Sequence, residues 1–137
     1  LLVLELARLI AEPRDSRRRG DEIRLFRLLA ELQKKSAEPW TLDQMAARLR
    51  LRRTQFNSLF HHYTGDAPLH YLLRLRVERA RQMLKTTGMS VTDIAFACGF
   101  SSSQHFARVF QHFTGIAASA YRRHGPPPLR LPRSQKW

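Results

Sequence analysis

A run of three serines followed by a histidine is the part of this chain that most resembles a catalytic site. Ser101, Ser102 and Ser103 lie just before His105, and a serine with a histidine base is the arrangement found in many covalent hydrolases. However, the glycine-flanked elbow that presents such a nucleophile is missing here. No aspartate or glutamate follows Asp93 in the chain, so no acid downstream can orient a histidine. We predict that the protein is not an enzyme and has no catalytic residue.

The histidines and the cysteine do not form a metal-binding pattern. No set of cysteine, aspartate or glutamate joins the histidines of the repeated segments described below, which are His61, His62, His105 and His112. The chain has one cysteine, Cys98, which cannot form an internal disulfide. Because Cys98 occupies the place of a leucine in a related segment, we predict that it is buried as a small apolar residue. We predict no metal and no cofactor.

Hydrogen bonding to another molecule is the second kind of chemistry that the sequence offers. Polar side chains recur on one side of two segments, and the first segment contributes Arg52, Arg53, Thr54, Asn57, Ser58 and His61. The second segment contributes Ser102, Ser103, Gln104, Ala107, Arg108 and Gln111. Asparagine and glutamine pair with adenine, arginine pairs with guanine, and alanine packs against the thymine methyl group. A polar helix face is usually only a solvated surface, so the elements that carry these side chains decide the interpretation.

The two segments are copies of one sequence pattern. Residues 41–65 read TLDQMAARLRLRRTQFNSLFHHYTG, and residues 90–115 read SVTDIAFACGFSSSQHFARVFQHFTG. The matched pairs include Ala46 with Ala95, Leu49 with Cys98, Leu51 with Phe100, Phe56 with Phe106, Leu59 with Val109, Phe60 with Phe110, and Gly65 with Gly115. Each copy predicts a short helix, a tight turn and a second helix with a buried aromatic stripe. Two helix-turn-helix units in one basic chain indicate a protein that reads DNA.

The helix starts and the turns differ in detail between the copies. Capping residues are predicted at Thr41, where Gln44 completes a capping box, at Ser90 and at Ser101. In the first copy, Arg52 occupies the capping position of the second helix. Its side chain cannot cap the helix there, and its charge opposes the helix dipole. Gly99 tolerates the positive φ of the second turn, whereas Arg50 in the first turn adopts a positive φ less favourably. A nearby phosphate would compensate the charge of Arg52.

A long helix is predicted between the copies, from Pro68 to about residue 85. Its ~18 residues at ~1.5 Å each span ~27 Å, which is comparable with the ~34 Å between successive major-groove faces of DNA. We therefore expect one monomer to place both second helices in adjacent major-groove segments of an asymmetric site.

The remaining sequence predicts one domain, residues 21–124, with a flanking segment at each end. Residues 1–20 are predicted as a short helix followed by a linker over 13–20, and residues 125–137 as a disordered basic tail. In the first helix of the domain, over 21–36, the residues predicted to face inward are Ile23, Phe26, Leu29, Ala30 and Leu32. Because the chain begins with Leu1 and not with methionine, we expect residues 1–20 to be the tail of a preceding effector or dimerisation domain.

The charge distribution supports a polyanionic partner. The net charge is +13 and the isoelectric point is near 11.4, and no acidic residue occurs over 44–65 or after Asp93. A membrane-surface protein would need exposed aromatic residues opposite its basic face, and an RNA reader would show exposed stacking residues or glycine-rich clamps. Neither pattern is present. There is no signal-peptide pattern and no apolar run of ~18 residues, so we expect a cytoplasmic protein.

The motifs together resemble the DNA-binding domain of the AraC/XylS family of bacterial transcription regulators. The matching residues of the connecting helix are Tyr71, Arg76, Ala80 and Leu84. Those of the second unit and beyond are Ile94, Ala95, Gly99, Phe100, Phe106, Arg108, Val109, Phe110, Gly115, Tyr121 and Arg122. The sequence departs from the family pattern at Arg50, Arg52, Ser58 and Ala118.

The resemblance implies an all-α fold of about seven helices in two subdomains, binding to promoter double-stranded DNA, and activation through contact with RNA polymerase. It implies base contacts at Thr54, Asn57, Ser58, Ser103, Gln104, Ala107 and Arg108. From their residue types and places, the predicted phosphate contacts are Arg52, Arg53, His61, Ser102 and Gln111. A homodimer through the missing N-terminal domain is a further implication. The alternative interpretations are the DNA-binding module of a larger effector-responsive repressor or of an enzyme-fused regulator.

Overall fold

The computed structural model describes residues 13–126, with side chains from residue 16 onward. This part of the chain contains seven helices and no strand. In chain order they are α1 (Pro13–Lys34), α2 (Leu42–Leu49), α3 (Arg53–Thr64), α4 (Pro68–Thr86), α5 (Val91–Ala97), α6 (Ser103–Thr114) and α7 (Ala118–His124). The all-α prediction is confirmed. The helix predicted over 1–12 and the tail predicted beyond residue 126 lie outside the described residues.

The described chain divides into two compact units. Unit 1 consists of residues 13–35 and 40–70, which carry α1, α2, α3 and the start of α4. Unit 2 consists of residues 36–39 and 71–126, which carry the rest of α4 with α5, α6 and α7. Each unit therefore holds one of the two predicted helix-turn-helix pairs, α2 with α3 and α5 with α6.

The linker predicted over residues 13–20 is wrong, because these residues form the first two turns of α1. Proline is accepted at the first position of a helix, where its missing N–H would have no intrahelical partner. Arginine is a good helix former, and an interior glycine such as Gly20 costs only about 1 kcal/mol relative to alanine. The arginine-rich segment is therefore a helix surface and not a hinge.

The face of α1 that packs inward also differs from the prediction. The buried residues are Leu25, Leu28 and Leu32, so only Leu32 of the predicted set is fully buried. Ile23 and Phe26 are more than half exposed, Ala30 is exposed, and Leu29 is half-buried. The two stripes have the same spacing of i, i+3 and i+7, so helical periodicity alone could not choose between them.

The core of unit 1 joins α1 to the first helix-turn-helix pair. The buried residues of α2 and α3 are Met45, Ala46, Leu49, Phe56 and Phe60. The Phe56 and Phe60 rings meet edge to face, with centroids 5.6 Å apart, which is a favourable geometry for an aromatic pair. The inward side of α3 is thus occupied by packing, and its other side is left for solvent or a ligand.

The core of unit 2 repeats this arrangement around α4. Its buried residues are Val77, Ala80, Leu84, Ile94, Ala95, Cys98, Phe100, Phe106, Phe110, Ala118 and Tyr121. The predicted burial of Cys98 is confirmed, and burial raises the pKa of its thiol. The Cys98 and Met83 sulfur atoms are 3.7 Å apart.

Residues 36–39 are held against unit 2 by Arg76 of α4. The Arg76 guanidinium donates to the carbonyl oxygens of Ser36 and Glu38, at 2.7 Å each. It also lies 6.0 Å from the centre of the Phe100 ring, and burial lowers its pKa. Because the arginine satisfies two carbonyl groups at once, it fixes this short segment beside the second turn.

The predicted long helix is confirmed as α4, which begins at Pro68 and ends at Thr86, one residue beyond the predicted end. None of the helices within residues 13–126 is both long and apolar enough to cross a bilayer.

Candidate nucleic-acid interface

Matching caps begin the first helix of each pair. In α2, the backbone N–H of Gln44 donates to the Thr41 hydroxyl oxygen at 3.2 Å, and the Thr41 N–H donates to the Gln44 side-chain oxygen at 3.1 Å. In α5, the Asp93 N–H donates to the Ser90 hydroxyl oxygen at 3.0 Å. The predicted caps at Thr41 and Ser90 are confirmed, and the first helix of each pair therefore starts at an equivalent position of the repeated sequence.

The turns of the two pairs use the left-handed backbone region through different residues. Arg50 has φ 55° and ψ 36°, so it is a non-glycine residue with a positive φ. Gly99 has φ 97° in the second turn. A Cβ atom at Gly99 would lie 2.6 Å from the Ala37 carbonyl oxygen, so only glycine fits there. No comparable contact explains why the first turn carries an arginine.

The second helix of each pair begins differently. Ser102 caps α6, because its hydroxyl oxygen accepts the His105 backbone N–H at 3.1 Å. The cap predicted at Ser101 is therefore wrong by one residue, since α6 begins at Ser103 and not earlier. Arg52 precedes α3 and makes no side-chain cap, as predicted. Ser102 still has its O–H proton to donate to a phosphate.

The predicted contact residues of α3 share one outward side. All six are exposed, namely Arg52, Arg53, Thr54, Asn57, Ser58 and His61. They surround the first turns of the helix, opposite the buried Phe56 and Phe60. The structure therefore brings together the whole set that the sequence assigned to the first pair.

The predicted contact residues of α6 are also brought together, but they differ in exposure to solvent. Gln104, Ala107, Arg108 and Gln111 are exposed, whereas Ser102 and Ser103 at the helix start are half-buried. Phe106 and Phe110 lie on the buried side. Both helices thus present a polar surface that is supported from behind by packed aromatic rings.

An ion pair engages the first arginine of α3. The Arg53 guanidinium meets both carboxylate oxygens of Asp43, at 2.5 and 2.6 Å, and this hydrogen bonding holds the pKa of Asp43 below its usual range. Both side chains are about two-thirds exposed, so the pair is screened by water and can exchange with a phosphate. Within residues 13–126, no protein group binds the Arg108 guanidinium, which extends from α6.

The role of Asp43 was not predicted from the sequence. It lies ten residues before its partner Arg53 and on a different helix, so no helical spacing relates the two. The signal that was available is the placement of opposite charges at the starts of consecutive helices. Once the capped start of α2 and the uncapped start of α3 are positioned, the two charges meet.

The comparisons with known proteins agree with this geometry. A family model described as a helix-turn-helix domain matches residues 45–124. The HTH-type transcriptional regulator GbdR of Pseudomonas aeruginosa is 38% identical over 93 residues, which cover 68% of this chain and 25% of that protein. The HTH-type transcriptional activator RhaS of Escherichia fergusonii is 36% identical over 116 residues, which cover 82% of this chain and 42% of that protein. The chain thus spans less than half the length of these relatives.

Two solved structures share the fold. The DNA-binding domain of the transcriptional factor AdpA, in complex with a target DNA, has a TM-score of 0.70 and 32% identity, covering 72% of this chain and 89% of that one. An AraC-type DNA-binding-domain regulator from Chromobacterium violaceum has a TM-score of 0.69 and 33% identity, covering 80% of this chain and 98% of that one.

Proposed function

The chain belongs to the AraC-type helix-turn-helix family, and from this premise we propose that it is the DNA-binding part of a transcription regulator that recognises specific sequences in double-stranded promoter DNA. The observation that carries the proposal is the duplicated arrangement of α2 with α3 and α5 with α6. In both pairs, an outward polar face is supported by buried aromatic residues. The AdpA domain, which has the same fold, was solved with its target DNA.

We assign sequence reading in the major groove to side chains on the outward sides of α3 and α6. The base contacts of α3 are Thr54, Asn57 and Ser58, and those of α6 are Ser103, Gln104, Ala107 and Arg108. Arg108 carries the strongest assignment, because no protein group in the described part of the chain holds its guanidinium, which can form two parallel hydrogen bonds with guanine. The amide of Gln104 is matched in the same way to adenine.

We assign phosphate contact to residues at the helix starts and farther along each helix. They are Arg52, Arg53, His61, Ser102 and Gln111. Arg53 would exchange its exposed pair with Asp43 for a DNA phosphate, a replacement of one anion by another. The absence of a side-chain cap at α3 leaves its first N–H groups to a phosphate oxygen, which the helix dipole also favours.

The role of the whole protein extends this proposal. RhaS is named a transcriptional activator, and we propose that the present protein likewise activates transcription by contacting RNA polymerase. A homodimer formed through an additional N-terminal domain is part of the same proposal. Since promoter DNA in bacteria is in the cytoplasm, the protein would act there.

The test is selection of binding sites from a random-sequence duplex library, followed by affinity measurements over a range of salt concentrations. We expect a preferred duplex site and a logarithmic salt dependence to which each phosphate contact adds about −0.9. Single-stranded DNA and anionic lipid vesicles serve as comparison ligands. Equal affinity for the selected and scrambled duplexes, tighter binding to vesicles, or affinity that does not change with salt would refute the proposal.

A further inference from the structure

Unit 1 contains a positively charged cleft that the proposed reading helices do not use. The cleft has a volume of about 390 Å³ and lies between the N-terminal half of α1 and the turn that joins α2 to α3. Its charged lining residues are Arg17, Asp21 and Arg24 from α1, and Arg50 from the turn. We refer to this site as the arginine cleft.

The arginine cleft has an excess of positive charge. Its lining includes three arginines and one aspartate, Asp21, whose carboxylate is 3.3 Å from the Arg24 guanidinium. Arg17 and Arg50 are exposed, and no ion pair or hydrogen bond holds either side chain among the described residues. Gly20 also lines the cleft and adds no side chain to its wall, which keeps the space between the arginines open.

The left-handed backbone of Arg50 favours glycine, so the presence of an arginine at this position needs an explanation. A left-handed backbone is unfavourable for a residue with a Cβ atom and is adopted freely by glycine. The corresponding residue of the second turn is Gly99, which is relaxed at φ 97°. Glycine would therefore satisfy the first turn as well, and what arginine adds there is a positively charged side chain on a residue that lines the cleft.

We propose that the arginine cleft binds a backbone phosphate of the DNA that flanks the segment read by α3. This inference rests on the proposed function. Guanidinium groups match phosphate oxygens in charge and in geometry, and Arg50 lies in the turn that leads directly into α3. A phosphate contact fixes the position of the protein on the duplex without reading sequence, so the cleft contributes affinity and not base preference.

The first experiment compares two double variants with the same loss of charge on α1. Arg17→Gln with Arg24→Gln removes two guanidinium groups from the cleft. Arg27→Gln with Lys34→Gln removes two exposed charges that do not line it. On the selected duplex, we expect the cleft variant to reduce the salt slope by about 0.9, the contribution of the one phosphate bound in the cleft, and to leave the preferred sequence unchanged. The control variant should retain a slope close to that of the wild type.

Shortening the duplex provides an independent readout. Removal of base pairs flanking the segment protected by α3 should weaken the wild type and should remove its advantage over the cleft variant. If both double variants lose the same affinity, or if the cleft variant changes the preferred sequence, the cleft is not a specific phosphate site. If the wild type shows no preference for duplex DNA, the proposed function fails first, and the cleft proposal falls with it.

Arg50→Gly separates binding from folding. The substitution removes one of the three guanidinium groups of the cleft and relieves the left-handed strain, so the thermal midpoint should equal or exceed that of the wild type. The salt slope should decrease by up to about 0.9, the full contribution of the one phosphate, because Arg17 and Arg24 remain in the cleft. A lowered midpoint would show that Arg50 has a structural role, and an unchanged slope would show that it does not touch phosphate. Either result would overturn the assignment.

Discussion

The two helix-turn-helix pairs have equivalent helices and matching caps on their first helices, but they differ in what lies beside their turns. In unit 2, Gly99 lies against the backbone of Ala37, which belongs to the short segment that Arg76 holds. In unit 1, the corresponding residue Arg50 borders an open cleft. A duplicated fold thus tolerates a change at one turn when the space beside it is empty, and forbids the same change where backbone fills that space.

The second helices differ in a parallel way. α6 is capped by Ser102, and its Arg108 is bound by no protein group within the described chain. α3 is uncapped, and its Arg53 is paired with Asp43. A capped helix with an available guanidinium suits base reading, whereas an uncapped helix rich in arginine suits phosphate binding. We therefore expect α6 to supply more of the sequence specificity, and α3 more of the contact with the DNA backbone.

The largest expected effect is that of Gly99→Ala on folding. The new Cβ atom would overlap the Ala37 carbonyl oxygen at 2.6 Å, and the backbone would have to keep φ 97°. Strain of this kind together with overpacking should lower the free energy of unfolding by about 3 kcal/mol or more. Urea denaturation followed by circular dichroism would measure the change.

Gly115→Ala is the matched control for Gly99→Ala. Gly115 also has a positive φ, 80°, but a Cβ atom there would meet nothing within 4 Å. This variant should lose only the conformational contribution, about 1–2 kcal/mol. Equal losses for the two variants would mean that the contact with Ala37 does not support the second turn.

The next effect concerns base preference. Replacing Ser103, Gln104 and Arg108 by alanine should abolish the preference for the selected site, because these are side chains to which we assign base contacts. Arg108→Ala alone should cost about 1–3 kcal/mol and relax the preference at one base pair or a small group. Replacing Thr54, Asn57 and Ser58 should weaken binding and shrink one protected segment of the footprint. Both sets would be assayed by footprinting and by repeated site selection.

Two outcomes would contradict this division between the helices. One is an equal loss of sequence preference from either set of substitutions. The other is a uniform loss of affinity across all duplexes on replacing Arg108, which would make that residue a phosphate contact instead of a base contact.

Much of the fold could be predicted from the sequence because the decisive signals are local and occur twice. The caps at Thr41 and Ser90, the aromatic stripes and the left-handed turn residues each depend on a few neighbouring residues. Their repetition in one chain distinguished a helix-turn-helix from an ordinary amphipathic helix. The exposed side chains of α3 and α6 follow from the same stripes, since the side opposite a buried aromatic face is the exposed one.

The incorrect predictions arose where the sequence offered two solutions of similar local energy. Two apolar stripes of equal spacing run along α1, and only packing against α2 selects the one with Leu25 and Leu28. Ser101 and Ser102 are equally good capping residues, and the start of α6 decides between them. The arginine cleft and the pair of Arg53 with Asp43 depend on distances between helices, which local patterns do not contain.

The smallest expected effect is that of Asp43→Asn, which tests whether the ion pair keeps the Arg53 side chain of α3 from binding a DNA phosphate. The neutral amide would no longer attract the Arg53 guanidinium as a full charge does, so Arg53 would be available to a phosphate, and affinity for the selected duplex should rise a few fold without a change in preferred sequence. An exposed ion pair that is screened by water adds little to stability, so the thermal midpoint of the variant should stay close to that of the wild type. Asp93→Asn is the control, because it removes one exposed acidic charge from the first turn of α5. If both variants raise affinity equally, the gain is a general effect of net charge, and the pair of Asp43 with Arg53 does not limit DNA binding.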